Sequence, residues 1–105
     1  MQEISIAAGA ADWETAESYP AGTMRKVLRR NDEGNPLAVI LRLPPGFEMD
    51  DHSHTCVEQH FILSGEYEVK DERCGAGHYR MIPAHAEHGP FRSPQGAEVL
   101  VIWEP

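Results

Sequence analysis

Apolar and polar residues alternate along most of this chain in short segments, and glycine and proline separate the segments. The segments recur at roughly 8–12 residue intervals, a spacing typical of a β-sandwich or barrel. The segments that predict strands are 4–6, 23–30, 37–43, 60–63, 66–70, 78–82 and 98–103. Ser64-Gly65 predicts a turn, residues 71–77 predict a loop, and no pattern predicts a helix longer than one turn. The chain is therefore expected to be all-β.

The length of 105 residues predicts one domain, residues 1–105. Residues 1–20 form a lead-in, and its Ile4–Ala7 segment is a candidate dimer arm that would pair with or pack on a partner's sheet. No apolar run approaches the ~20 residues of a membrane span. The first residues also lack the basic start and apolar middle of a signal peptide. A cytoplasmic location is expected.

Charge narrows the range of partners. Nine Lys and Arg residues against 17 Asp and Glu residues give a net charge of −8. This balance argues against nucleic acid and against anionic membrane surfaces as partners. Cys56 and Cys74 are too few to predict a disulfide framework. A small molecule is the expected partner.

The candidate chemistry lies in the middle of the chain, because all six histidines fall between His52 and His88. His52 and His54 are two residues apart, so on a strand their imidazoles would share one face. Glu58 follows at an even spacing. Two imidazoles and a carboxylate form most of a facial site for a divalent metal. A further ligand must come from elsewhere, and a thiolate from Cys56 is an alternative.

This spacing resembles the two sequence motifs of the cupin superfamily. The first motif is matched at every position by Gly46, His52, His54, Glu58 and Gly65. The second motif is matched by Gly77, Pro83 and His88, while His85 and Arg92 stand where glycine and asparagine are expected. Together the motifs span residues 46–92, a little under half of the chain.

The resemblance implies a jelly-roll barrel, or double-stranded β-helix, that forms a homodimer. It also implies one divalent metal ion per chain, with iron(II) favoured and zinc, manganese, nickel or copper compatible. The implied ligands are His52, His54, Glu58 and His88. Some cupin dioxygenases that cleave β-diketones use three histidines and no glutamate, so a site in which Glu58 is loosely held is an alternative.

The function that the resemblance implies is a metal-dependent dioxygenase acting on an enolisable dicarbonyl or an aromatic compound. A metal-dependent isomerase or decarboxylase is one alternative, and a non-catalytic sensor of a metal or small molecule is another. The isomerase or decarboxylase would need a general base, for which His60 is the candidate.

Several residues are candidates for the surroundings of the metal. His60 would share a face with Glu58 on a regular strand, as an acid–base group, a neighbour of the ligands or a packed histidine. His85 tolerates a positive φ better than most residues and is expected near the ligands or at the surface. The candidate pocket residues are Arg42, Phe47, Phe61, Met81 and Phe91. Core packing is the alternative for the aromatic residues and Met81, and an outward edge charge is the alternative for Arg42.

Overall fold

The computed structural model describes residues 2–104, and strands dominate this part of the chain. The strands are β1 (Glu14–Thr15), β2 (Met24–Arg30), β3 (Pro36–Leu43), β4 (Phe47–Met49), β5 (Val57–Val69), β6 (Glu72–Gly75), β7 (Tyr79–Ile82), β8 (Phe91–Ser93) and β9 (Ala97–Glu104). One 3₁₀ turn, Ala8–Ala10, precedes them. The all-β class predicted from the sequence is confirmed. Across residues 2–104, no helix is both long and apolar enough to cross a membrane.

The antiparallel strands follow the order β1-β2-β3-β9-β5-β8-β4, and β6 and β7 also pair with β5. The 13-residue β5 joins two parts of the structure. Its first part, up to Gly65, pairs with β9, whereas Glu66–Val69 pairs with β6. The sheet therefore curls around β5 into a jelly-roll barrel, as the sequence predicted.

The turn predicted at Ser64-Gly65 is wrong, because β5 runs through these residues. The register against β9 shifts between Ile62 and Ser64, and Gly65 has a φ of 72°. A Cβ atom at position 65 would lie 2.3 Å from the carbonyl oxygen of Gly96. Glycine is required here because β9 approaches closely and the backbone is left-handed. In sequence, a glycine that serves this purpose looks the same as a glycine in a turn.

Two further strand predictions need correction. Residues 4–6 form no strand, and the strand that pairs with β2 at that edge of the sheet is β1. The loop predicted at 71–77 contains β6, which forms a hairpin with β5 through Lys70 and Asp71. Both residues have positive φ, 49° and 65°, as the type I′ turn of a two-residue hairpin requires. The hairpin was missed because this turn contains no glycine.

The strand alternation of β5 determines which side chains face the barrel interior. Glu58, His60 and Ile62 are buried, whereas Phe61 and Leu63 are exposed on the outer face. The register places Glu58 beside Trp103, His60 beside Val101 and Ile62 beside Val99. Apolar side chains fill most of the interior, and the buried polar side chains of Glu58 and His60 enter it near the start of β5.

Candidate metal centre

Three histidines converge at one end of the barrel. His52 follows β4, and its backbone exchanges hydrogen bonds of 3.1 and 2.8 Å with His88, between β7 and β8. The carbonyl of His54 accepts a hydrogen bond of 2.7 Å from the backbone N–H of His85. These bonds join the loop before β5 to the loop after β7. As a result, one ligand nitrogen from each of His52, His54 and His88 lies within 4.8 Å of the others.

The ring nitrogens of this cluster are free to bind a metal. Neither ring nitrogen of the buried His88 has a hydrogen-bond partner, and the same is true of His54 Nε2. His52 donates from Nδ1 to the Asp50 carbonyl at 3.1 Å, which leaves the Nε2 lone pair free. Buried polar atoms without partners are costly. Their convergence fits a divalent metal held by three imidazoles.

Glu58 lies beside the three histidines, and both of its oxygens are engaged. Trp103 donates from Nε1 to Oε1 at 2.6 Å, and His60 donates from Nε2 to Oε2 at 2.6 Å. His54 Nε2 is 3.2 Å from Oε1 but is not oriented to hydrogen-bond it. The group of mutually close ligand atoms contains the three histidines and not Glu58. This group matches the three-histidine alternative, and Glu58, the fourth ligand of the larger predicted set, lies 3.2 Å from His54.

His60 connects Glu58 to a second buried side chain. Its Nδ1 is 2.8 Å from the hydroxyl oxygen of Tyr67. In a neutral imidazole that donates from Nε2 to the Glu58 carboxylate, Nδ1 accepts from the Tyr67 hydroxyl. Trp103, Glu58, His60 and Tyr67 thus form one chain of hydrogen bonds that leads away from the histidine cluster.

The surroundings favour an ionised Glu58 and a neutral His88. Burial raises the pKa of Glu58, but the hydrogen bonds from His60 and Trp103 outweigh burial and hold that pKa below its usual value. Burial, helped by His52, His54 and His60, lowers the pKa of His88 to about 4 against the opposing charge of Glu58. His88 therefore keeps a free lone pair at neutral pH. Burial also raises the pKa of Tyr67 to about 12, so its hydroxyl remains a donor.

A small cavity of about 30 Å³ adjoins the site. Its walls include Phe47 and Phe91, two of the candidate pocket residues, together with Tyr19 and Met49. Since one ordered water needs about 10–15 Å³, the cavity has room for a metal ion and a water or two. A larger ligand needs the walls to move.

Three of the predicted pocket residues lie elsewhere. Arg42 is exposed, pairs with Glu98 at 3.0 Å and lies 3.9 Å from the ring centre of Trp13. Phe61 and Met81 are 41% and 52% exposed on the outer face. Each alternates with an inward neighbour on its strand, and this alternation directs all three side chains away from the cavity.

Two other candidates lie near the cluster without joining it. His85 is exposed and has a φ of 66°, so its backbone, rather than its ring, contacts the site through the carbonyl of His54. Cys56 is not part of the histidine group. Burial raises the pKa of its thiol, which disfavours the thiolate that a metal would need.

A second group of potential ligands, Glu72, Cys74 and His78, lies by β6 and β7. Here the guanidinium of Arg80 already donates to the Glu72 carboxylate and to the sulfur of Cys74. Because a cation would have to displace this arginine, we interpret the group as an ion-paired cluster.

Sequence reasoning missed Trp103, Tyr67 and Tyr19. Trp103 reaches Glu58 only because β9 pairs with β5 in one particular register, and a single sequence does not reveal that register. Tyr67 follows His60 across the shift near Gly65, which breaks the even spacing. Tyr19 lies in the lead-in, where no motif marks it.

The curled antiparallel barrel, with histidines converging at one end, is the architecture that the motifs' resemblance to the cupin superfamily implied. The chain belongs to the ChrR cupin-like domain family, whose model matches residues 1–104. No curated protein matches the chain.

Solved structures share the fold at low identity. A putative dioxygenase from Nostoc punctiforme has a TM-score of 0.84 and 20% identity over 92% of this chain and 34% of its own. A putative acetylacetone dioxygenase from Methylibium petroleiphilum has a TM-score of 0.82 and 20% identity over 98% of this chain and 77% of its own. The Rhodobacter sphaeroides complex of SigE with the anti-sigma ChrR gives 0.70 and 22%, over 90% of this chain and 50% of the matched chain. This chain thus spans half of one such relative and a third of another.

Proposed function

We propose that this protein is a mononuclear metal-binding cupin that acts as a dioxygenase on a small enolisable dicarbonyl or aromatic compound. One observation carries the proposal: His52, His54 and His88 converge with unpaired nitrogens, while Glu58 is engaged by Trp103 and His60. Three histidines without a glutamate are the ligand set of some β-diketone-cleaving cupins. The fold shared with a putative acetylacetone dioxygenase is consistent with this choice.

The chain's own residues would do the following. The three neutral imidazoles would hold the ion without reducing its charge, which favours an anionic enolate as ligand. Phe47 and Phe91 would exclude water from one side of the site. A bound divalent ion, with iron(II) favoured over zinc, manganese, nickel or copper, would supply open positions for substrate and oxygen.

The isomerase or decarboxylase alternative has less support. It needs a general base that faces the substrate, and His60 was the candidate for this catalytic role. Both ring nitrogens of His60 are already engaged, by Glu58 and by Tyr67. A base in this position would first have to break one of these buried hydrogen bonds.

A non-catalytic sensor is the second candidate function. The ChrR cupin-like model covers residues 1–104, and one structure of similar fold is an anti-sigma ChrR complex with a sigma factor. The cavity of about 30 Å³ also suits a metal ion better than a dicarbonyl. In this role the metal site would control contacts with a protein partner.

Metal content and oxygen uptake separate these candidates. Protein without a histidine tag would be loaded with iron(II) anaerobically, measured by elemental analysis and then mixed with a panel of β-diketones in air. About one iron per chain with substrate-dependent oxygen uptake is the expected result. His54→Ala should lose both, whereas the exposed His85→Ala is the matched control and should keep both.

Other outcomes point elsewhere. Stoichiometric zinc that iron does not replace, without oxygen uptake, would favour the sensor. The absence of any bound metal in the wild-type protein would refute the metal site itself.

We further propose that the protein forms a homodimer in the cytoplasm. Phe61, Leu63, Tyr79 and Met81 are exposed together on the outer face of β5 and β7, which we call the outer patch. Trp13 of the lead-in packs instead against Arg42 of β3, which β9 separates from β5. In a chain of net charge −8, an uncharged face is where two copies can approach with least repulsion. The free thiols of Cys56 and Cys74 suit a reducing compartment.

A further inference from the structure

The cavity beside the histidine cluster has walls of two kinds. Most of the side chains that line it belong to strands β3, β4, β5, β8 and β9, which neighbouring strands hold in place. Tyr19 instead lies in the loop between β1 and β2. The other lining residues outside the strands are His52 and His88 of the cluster. Within residues 2–104, Tyr19 is therefore the one wall of this cavity that neither a strand nor the candidate metal would hold in place.

The backbone of this loop directs the Tyr19 ring inward. Ala16, directly after β1, is buried, and its N–H donates to the Thr23 carbonyl at 3.0 Å across the base of the loop. Ser18 is left-handed, with a φ of 71°, and the N–H of Tyr19 donates to the Ala16 carbonyl at 3.4 Å. The chain thus turns just before Tyr19. Its ring packs against the core, while Glu17 and Ser18 stay exposed.

Apolar packing is what holds the Tyr19 ring in the cavity wall. Tyr67 and Tyr79 use their hydroxyls in hydrogen bonds to other side chains. Among residues 2–104, the hydroxyl of Tyr19 has no such partner. Burial and the nearby charge of Glu58 raise the pKa of Tyr19, so the phenol is uncharged at neutral pH and forms no ion pair. A ligand that displaces this ring would therefore break van der Waals contacts but no hydrogen bond.

We propose that Tyr19 is a specificity-determining residue that limits the size of the ligand reaching the metal. The inference rests on the proposed function and narrows its substrate class. The cavity of about 30 Å³ holds little more than the ion and a water or two, so a dicarbonyl needs space that Tyr19 occupies. Displacing this ring provides the space without separating paired strands. Compact aliphatic 1,3-dicarbonyls are the ligands that fit, whereas aryl-substituted dicarbonyls and other aromatic compounds are excluded.

Cobalt(II) provides a test that does not depend on turnover, because its visible spectrum changes when a ligand binds to the ion. Cobalt-loaded protein would be titrated without oxygen with azide, acetylacetone and benzoylacetone. The wild type should bind azide and acetylacetone, and should bind benzoylacetone about tenfold more weakly than acetylacetone, or weaker still. Tyr19→Ala should remove the difference between the two dicarbonyls and leave the affinity for azide unchanged.

Further variants separate the size of the ring from damage to the loop. Tyr19→Phe keeps the ring and should behave as the wild type, because the hydroxyl has no partner. Glu17→Ala changes an exposed side chain of the same loop and should also behave as the wild type. Tyr19→Leu removes only part of the ring and should give an intermediate preference, which keeps the test available if Tyr19→Ala does not fold.

The same pattern of binding in the wild type, Tyr19→Ala and Tyr19→Leu would overturn the inference. A gain in azide affinity as large as the gain for benzoylacetone would also overturn it, because Tyr19 would then control access in general rather than ligand size. The proposed reaction fails separately: iron-loaded protein without oxygen uptake would refute the dioxygenase, while the binding preference would stand. Protein that binds no cobalt would refute the metal site, and the inference with it.

Discussion

His88 is buried in the barrel, and neither nitrogen of its ring has a hydrogen-bond partner. Such a residue reduces the stability of the metal-free protein, and its protonation would reduce it further. Burial together with the neighbouring histidines lowers its pKa in the folded protein to about 4, against about 6.5 in an unfolded chain. Between these values the unfolded chain binds a proton that the folded protein does not.

The first prediction is therefore that metal-free protein loses stability as the pH falls from about 6.5 to 4. Above this window His88 is neutral in both states, so its contribution is constant. Denaturant unfolding in the presence of a chelator would measure the free energy of unfolding at each pH. His88→Gln should flatten the slope, while His85→Ala changes an exposed histidine and should keep it. A slope that survives intact in His88→Gln would contradict this account.

The second prediction concerns the ligands themselves. Removing one imidazole should weaken metal binding strongly, because each histidine supplies a bond that no nearby unengaged group replaces. His54→Ala and His88→Ala should lose bound metal in elemental analysis, with His85→Ala as the control that retains it. Full occupancy in His88→Ala would show that the second motif does not supply a ligand.

At the scale of single residues, the sequence predicted the histidine cluster and its neighbours His60, Phe47 and Phe91, but not the hydrogen-bond donors Trp103 and Tyr67. The spacing of the motifs predicted that His52, His54 and His88 lie together, because the metal ligands of this fold occupy fixed positions in the motifs. The donors that hold Glu58 depend on the register of β9 and on the shift near Gly65. Alternation directs Arg42, Phe61 and Met81 outward, but composition alone does not indicate which face is the interior.

At the scale of elements, β5 connects the two parts of the barrel, and Gly65 is where its backbone becomes left-handed. We predict that Gly65→Ala destabilises the protein by at least about 2 kcal/mol. The added Cβ would lie 2.3 Å from the Gly96 carbonyl oxygen and 2.8 Å from Ala97 Cα, and both are backbone atoms. Chemical denaturation would measure the change in the free energy of unfolding.

Gly75→Ala is the matched control for this prediction. Gly75 also lies in a strand that pairs with β5, but a Cβ there would meet no atom within 4 Å. It should change stability by no more than about 0.5 kcal/mol. Equal losses in the two variants would mean that the close approach of β9 is not what requires glycine at position 65.

Sequence patterns located most of the strands but not the turns and bulges between and within them. The apolar runs at 37–43 and 98–103 correspond to β3 and β9, since central strands carry a strong hydrophobic signal. The Ser64-Gly65 turn was wrong because glycine marks a left-handed residue equally in a turn and inside a bulged strand. β6 was missed because its hairpin turn, Lys70-Asp71, carries no glycine.

At the scale of the whole molecule, the all-β class followed from short segments, and the barrel followed from the resemblance. A surface that would join two copies is harder to recognise from the sequence than the fold is. The outer patch alternates with buried residues along β5 and β7, so its apolar side chains resemble core residues in sequence. Only the structure separates the two faces.

The last prediction tests whether this patch joins two copies of the chain. In light scattering, wild-type protein at micromolar concentration should have twice the mass of one chain. Phe61→Glu places a charge in the middle of the patch and should give monomers, because burying two unpaired carboxylates is costly. Gln95→Glu adds the same charge in the turn before β9, outside the patch, and should remain dimeric. A wild-type monomer would remove the homodimer, whereas a dimer that persists in Phe61→Glu would move the interface to another face of the barrel.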